Sequence, residues 1–193
     1  MFLGTTGLAV GHRGRAVLAV GDLTVAPGAG IRVTGDNGSG KSTLLATLAG
    51  ALAPVAGQCH HHAPWAWVPQ VGGLSPDLPT TLGEVVDLAG GATAAALARV
   101  GLAQRGHQSW AASSGGERQR ALLARAFAGG PRLVLLDEPD SHLDRAGRDL
   151  LAALLDEHRA AGGSWIAVLH GDLAATGDAW WRCAAGGVDH GPS

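Results

Sequence analysis

Apolar positions along the chain switch repeatedly between the period of a strand and that of a helix. Short β-like runs come first, Leu8-Ala9-Val10, Ala16–Val20 and Leu23-Thr24-Val25. The turn-forming Pro27-Gly28-Ala29-Gly30 then precedes a further strand at Ile31–Thr34. After a glycine-rich stretch from Gly35 to Gly40, the pattern predicts a helix over Lys41–Ala49, stopped at Gly50. Trp65–Val68 predicts a strand, and Leu82–Ala89 and Thr93–Val100 predict two short helices divided by Gly90-Gly91. Gly116–Ala128 predicts a strong helix, Leu133–Leu136 a buried strand, Arg145–Ala160 an amphipathic helix and Ser164–Leu169 a strand. Such alternation argues for an α/β fold with a mainly parallel central sheet.

Composition narrows this picture. A chain of 193 residues with 46% hydrophobic side chains suits one domain over 1–193 and is too short for two full ones. A net charge of -2 provides no basic face, so no nucleic-acid partner is expected. The longest charge-poor apolar run, Ser42–Gly57, is broken by Gly50 and Pro54, so no direct membrane insertion is expected. Met1–Val10 lacks the features of a secretory signal, and two cysteines, Cys59 and Cys183, make no disulfide framework, which fits a reducing cytoplasm. Of 14 cationic residues only Lys41 is lysine, in a chain that otherwise uses arginine.

That lysine lies in Gly35-Asp36-Asn37-Gly38-Ser39-Gly40-Lys41-Ser42-Thr43, which matches G-x-x-x-x-G-K-[ST] between a predicted strand and a predicted helix. Glycines there let backbone N–H groups converge on phosphate oxygens, and the helix N-terminus adds a favourable dipole. Lys41 would reach the β- and γ-phosphates of a nucleotide, and the Ser42 hydroxyl would ligate Mg2+. The apolar run Leu133–Leu136 ends in two acids. Asp137 is placed to hold Mg2+, and Glu138 to accept a proton from, or orient, the water that attacks the γ-phosphate.

Ser113-Ser114-Gly115-Gly116-Glu117-Arg118-Gln119-Arg120, just upstream of the acidic strand, resembles the signature motif of ATP-binding cassette (ABC) ATPases. Gln70, in Val68-Pro69-Gln70, resembles the Q-loop glutamine of that family. Ser141-His142-Leu143-Asp144 resembles its D-loop, and His170 its switch histidine. His12 sits where the family usually has an aromatic residue stacked on adenine, and imidazole can stack more weakly. The resemblance runs from about Leu8 to Asp189. It implies a P-loop NTPase fold of ABC-ATPase type, with an antiparallel N-terminal β subdomain and a short α-helical subdomain at about 71–128. It also implies that Gln70 senses Mg2+ and the attacking water, and that His170 contacts the γ-phosphate. By the same resemblance, Ser114, Gly115, Gly116 and Asp144 belong to a nucleotide site shared with a partner subunit. The implied assembly is a head-to-tail homodimer or heterodimer holding two ATP molecules. It would be peripheral on the cytoplasmic face of the membrane, with the helical region Val71–Ala112 contacting integral permease subunits. Departures are modest: Ser113 replaces the usual Leu of the signature and Glu117 the commoner Gln, and neither removes a catalytic group.

Cargo is less legible. Val68-Pro69-Gln70 followed by Leu78–Val86 is similar to the corresponding stretch of zinc and manganese importers of the ABC class. Cys59-His60-His61-His62 supplies four potential metal ligands in a row, but adjacent residues of one loop seldom arrange four ligands tetrahedrally. A solvated loop is therefore expected there. The compact size also resembles the ATPase of the haem exporter in cytochrome c maturation. Two other classes remain as alternatives. A non-transport ABC ATPase would bring coiled-coil insertions, paired cassettes or basic patches, none of which this chain has; a degenerate regulatory subunit would lack turnover.

Overall fold

The computed structural model describes residues 1–70, 75–169, 173, 177, 179–184 and 186–192. Its elements run β1 (Leu3–His12), β2 (Arg15–Gly21), β3 (Thr24–Val25), β4 (Gly30–Thr34), α1 (Lys41–Leu48), β5 (Ala56–His61), β6 (Trp65–Val68), α2 (Leu82–Asp87) and α3 (Thr93–Arg99). They continue with α4 (Gly115–Ala128), β7 (Leu133–Asp137), α5 (Arg145–Ala160), β8 (Ser164–Val168), β9 (Ala179–Ala184) and β10 (Gly187–Pro192). The strands form one 10-stranded mixed sheet in the order β3-β1-β2-β10-β9-β4-β8-β7-β6, with β5 on β1. β6, β7, β8, β4 and β9 are mutually parallel. β1 pairs antiparallel with β2, β3 and β5, and β9 pairs antiparallel with β10. The mainly parallel α/β sheet with an antiparallel N-terminal part is therefore present.

The central strands are apolar on both faces, as parallel strands covered on both sides must be. Val134, Leu136, Trp165 and Ala167 face one core with α2 to α5, whereas Leu133, Leu135, Ile166 and Val168 face the other with α1 and the N-terminal strands. Between Ser75 and Ala128 the described chain holds α2, α3 and α4 and only an isolated Thr81–Ser109 bridge. Thr81 caps α2 and Ser114 caps α4, each in a reciprocal box with a glutamate three residues on, Glu84 and Glu117. The packing rests on Trp110, fully buried, whose Nε1 donates to Ser75 O at 3.1 Å while the Arg118 guanidinium lies 5.7 Å over its ring. No helix among the described residues is long and apolar enough to cross a membrane.

Four strands depart from the expected pattern. Cys59–His62 is not a loop: Cys59, His60 and His61 belong to β5, whose ladder to β1 continues through His62 N, which donates to Phe2 O at 2.8 Å. β5 is an edge strand with no fully buried residue, so apolar alternation is absent from it. β9 and β10 form a hairpin closing on β2, and β10 carries Gly187, Asp189, His190 and Pro192 in place of a hydrophobic run. β1 is also longer than Leu8–Val10, because its Gly- and Thr-rich first half, Leu3–Gly7, pairs with β3 and β5.

Candidate nucleotide site

The glycine loop leaves β4 and enters α1 at Lys41. Gly35, Gly38 and Gly40 take φ of 138°, 80° and 98°, conformations that L side chains adopt only at a cost. At Gly35 glycine is required twice over, since a Cβ there would lie 2.3 Å from Cys183 O on β9 and 2.7 Å from Ser39 Oγ. Ser39 N donates to Asp36 O at 3.1 Å, tightening the turn. Ser39 Oγ is buried without a hydrogen-bond partner, the one orphaned hydroxyl among the described residues. Lys41, only 9% exposed, folds back over the loop, and its Nζ donates to Gly35 O at 2.9 Å and Asp36 O at 2.8 Å. Beneath it the Cys183 thiol is pushed up to about 11 by burial, so it stays protonated and inert.

The strand ends bring the acidic and polar candidates together. Ser42 Oγ donates to Asp137 Oδ1 at 3.1 Å, joining the first turn of α1 to the end of β7. That spacing is near the roughly 2.9 Å between adjacent oxygens of an octahedral Mg2+ shell, and a hydroxyl with a carboxylate is a hard oxygen pair. The two residues fit such a cation. Gln70 Nε2, just past β6, donates to Glu138 Oε2 at 2.8 Å. Glu138 sits at φ 50° where β7 turns out of the sheet, its N–H held by Val168 O at 3.1 Å, and the Ser141 hydroxyl approaches the same Oε2 at 3.4 Å. His12 Nε2 lies 3.1 Å from Thr43 Oγ1, which sets the imidazole beside the start of α1.

Ser114, Gly115 and Gly116 are positioned separately, at the N-terminus of α4. Ser114 Oγ accepts from Glu117 N at 3.2 Å, and Glu117 Oε2 accepts from Ser114 N at 2.9 Å. That backbone N–H holds the Glu117 carboxyl below its usual range. The neighbour of these glycines is His142, at φ 65°: a Cβ on Gly115 would meet the imidazole Cδ2 at 3.2 Å, and one on Gly116 the His142 carbonyl at 3.0 Å. Nothing in the sequence singles out His142 for this, because the contact joins segments distant in the chain. Asp144 caps α5, its Oδ1 accepting from Gly147 N at 2.8 Å. His170 lies outside the described residues.

A glycine loop between β4 and α1, facing the acidic end of β7 in a mainly parallel sheet, defines a P-loop nucleotide-binding protein. The ABC transporter family profile matches residues 18–141, and the chain belongs to that family as an ATP-binding subunit. The zinc import ATP-binding protein ZnuC of Cereibacter sphaeroides is 39% identical over 84% of this chain and 70% of its own length. ZnuC of Roseobacter denitrificans is 35% identical over 86% and 68%. The cytochrome c biogenesis ATP-binding export protein CcmA of Cupriavidus necator is 36% identical over 87% and 82%. Among solved structures, an inward-facing transporter described as of the metal-chelate ABC type matches with a TM-score of 0.83 and 25% identity, over 99% of this chain and 83% of that one. An ATP-binding subunit of an ABC transporter shares the fold, with a TM-score of 0.85 over 100% and 90% of the two chains.

Proposed function

We propose that the chain hydrolyses ATP to drive passage of a transition metal, zinc or manganese, through separate membrane permease subunits. It would work as a dimer at the cytoplasmic face. The observation that carries hydrolysis is the Gln70 Nε2–Glu138 Oε2 hydrogen bond of 2.8 Å beside the Ser42–Asp137 pair, which sets a candidate base and its orienting amide next to a magnesium-competent pair. Residues 35–43 cradle the phosphates through backbone N–H groups and the Lys41 ammonium. Magnesium held by Ser42 and Asp137, with Gln70 nearby, would neutralise charge on the β- and γ-phosphates. Glu138 takes the proton of the attacking water, and Gln70 orients that water. Ser114 caps α4 with a lone pair of Oγ, so its O–H proton is available to a γ-phosphate bound by the partner subunit. The Gly115 and Gly116 N–H groups lie in the first helical turn, where no intrahelical acceptor exists, and serve the same phosphate. His12 lies against adenine, Asp144 approaches the partner's phosphate loop, and His170 contacts the γ-phosphate. Zinc comes into this reading from the names of the relatives in Cereibacter and Roseobacter.

Two variants test the reading. Lys41→Ala abolishes ATPase activity of the purified protein, and Glu138→Gln binds ATP without turnover and accumulates as a dimer. A Glu138→Gln protein that stays monomeric at saturating ATP rules out the dimer mechanism. For cargo, cells lacking the protein show lowered zinc or manganese under metal limitation; unchanged levels remove that assignment. The second reading, haem-linked export, is favoured by one observation. The chain spans 82% of the CcmA relative, against 70% and 68% of the ZnuC relatives. Loss of cytochrome c maturation with normal metal levels would select it.

A further inference from the structure

The histidine run on β5 is divided by the pleat. Cys59 and His61 pair with Thr5 and Leu3 of β1 and share their inward face, whereas Gln58 and His60 pair with Thr6 and Gly4 on the outer face. His61 is already engaged: its Nε2 lies 2.7 Å from Leu48 O at the end of α1, and its ring stacks on Trp65 at 4.6 Å. On the outer face Gly4 leaves a bare patch. Met1 Sδ and His62 Nε2 converge over it, at 3.3 Å and 3.9 Å from the point that a Cβ of Gly4 would occupy. His60 is the direct cross-strand neighbour of the same glycine. Its Nε2 lies 3.0 Å from Gln58 Oε1, and N–H donation to that oxygen leaves Nδ1 as the lone-pair nitrogen. Metal-ligating histidines are commonly oriented in this way by the group that accepts from their other ring nitrogen. His60 and His62 are exposed, and Met1 is 57% exposed, so all three donors are open to solvent.

We propose that His60, His62 and Met1 form a surface binding site for a Cu(I) ion. Thioether sulfur selects Cu(I), and imidazole is a good copper ligand. Zinc uses thiolate, imidazole and carboxylate, and among the described residues no group of three or more His, Cys, Asp or Glu side chains converges to offer that set. The site is separate from the glycine loop and does not depend on the reading of the nucleotide site. It lies on the strand whose next residue, His61, holds the end of α1.

Anaerobic titration of the full chain with Cu(I) against a chromophoric chelator tests the assignment. One Cu(I) per chain is expected, with binding weakened at least tenfold by His60→Ala and by His62→Ala, and unchanged by Cys59→Ser. His60→Asn and His62→Asn give the same result if either alanine variant folds poorly. Zn(II), titrated in parallel, should bind at least tenfold more weakly. The chain has one methionine, so selenomethionine labelling places a selenium neighbour in the copper X-ray absorption spectrum. No stoichiometric binding, binding indifferent to both histidines, loss with Cys59→Ser, absence of the selenium neighbour, or equally tight Zn(II) would each overturn the site.

Discussion

Ser114 has a structural task and a proposed chemical one, and substitutions can separate them. The box it forms with Glu117 satisfies two donors at the start of α4, over 3.2 Å and 2.9 Å. Ser114→Ala removes one half of the box, at a cost of about 1 kcal/mol. In a domain of this size that lowers the melting temperature by about 2–4 °C. Aspartate caps a helix about as well as serine, and the helix dipole favours it, so Ser114→Asp should melt within about 2 °C of the parent. Yet Ser114→Asp places a carboxylate where the proposed site takes a γ-phosphate. Two unit charges 4 Å apart repel by about 4 kcal/mol at an effective dielectric constant near 20, on the order of 10³-fold in a rate. Ionic screening weakens this at a solvated interface, which leaves an expected loss of at least tenfold in turnover. Glu117, held ionised by the Ser114 N–H, adds to the negative field. Ser114→Asn is the neutral control, keeping both the cap and more of the activity. The assays are thermal melting and steady-state ATP hydrolysis on the same preparations. Parental turnover in Ser114→Asp would refute the anion site, and a melting point as low as that of Ser114→Ala would refute the cap argument.

Gly35→Ala is expected to destabilise the chain by about 1–3 kcal/mol from backbone strain alone. The clash with Cys183 O at 2.3 Å adds to that, so melting and fluorescent-nucleotide binding should both fall; an unchanged melting curve would contradict the packing. Ser42→Ala should raise the Mg2+ concentration needed for half-maximal turnover at least tenfold while the melting point stays within about 2 °C, and an unaltered Mg2+ profile would remove Ser42 from the metal pair. Burial holds the pKa of His158 and His61 below the ordinary 6.5, so the unfolded chain binds those protons more tightly. Their contribution is complete above pH 6.5 and is lost as the pH falls through and below that value. The melting temperature should therefore drop on acidification from pH 7.5 to 5.5, less steeply in His158→Gln, and equal slopes would exclude His158 as a source.

Elements that carry their own apolar period are readable from the sequence alone. α5 and β7 show their burial in the sequence itself, as do the paired faces of β8. β5, β9 and β10 were not readable, because each is specified by the strand beside it. β5 exposes Ala56, Gly57, Gln58 and His60 and is a strand because β1 offers it a free edge. β10 holds only half-buried and exposed residues and is recruited by β9. The site divides along the same line. Glycine loop, acidic strand end and signature are contiguous in sequence and are legible as motifs, and Gln70 is legible through the resemblance of Val68-Pro69-Gln70 to the family's Q-loop. Which partner each side chain takes was not legible, and His142 against Gly115 is the clearest case.

The unreadable strands also explain part of the motif that was readable. The spacing G-x-x-x-x-G-K-[ST] is usually explained by the ligand, whose phosphates need close backbone approach. In this chain Gly35 is already required by β9, whose Cys183 carbonyl fills the space a side chain would need, and by its own φ of 138°. Gly40 differs. Its nearest obstacle is the end of the Leu18 side chain on β2, at 2.8 Å, which can move aside, so its φ of 98° is the stricter constraint. The loop is thus shaped by the sheet before any nucleotide arrives. A preformed cradle lowers the ordering cost of binding, and the hairpin of β9 and β10, invisible in the hydrophobic pattern, supplies part of its floor.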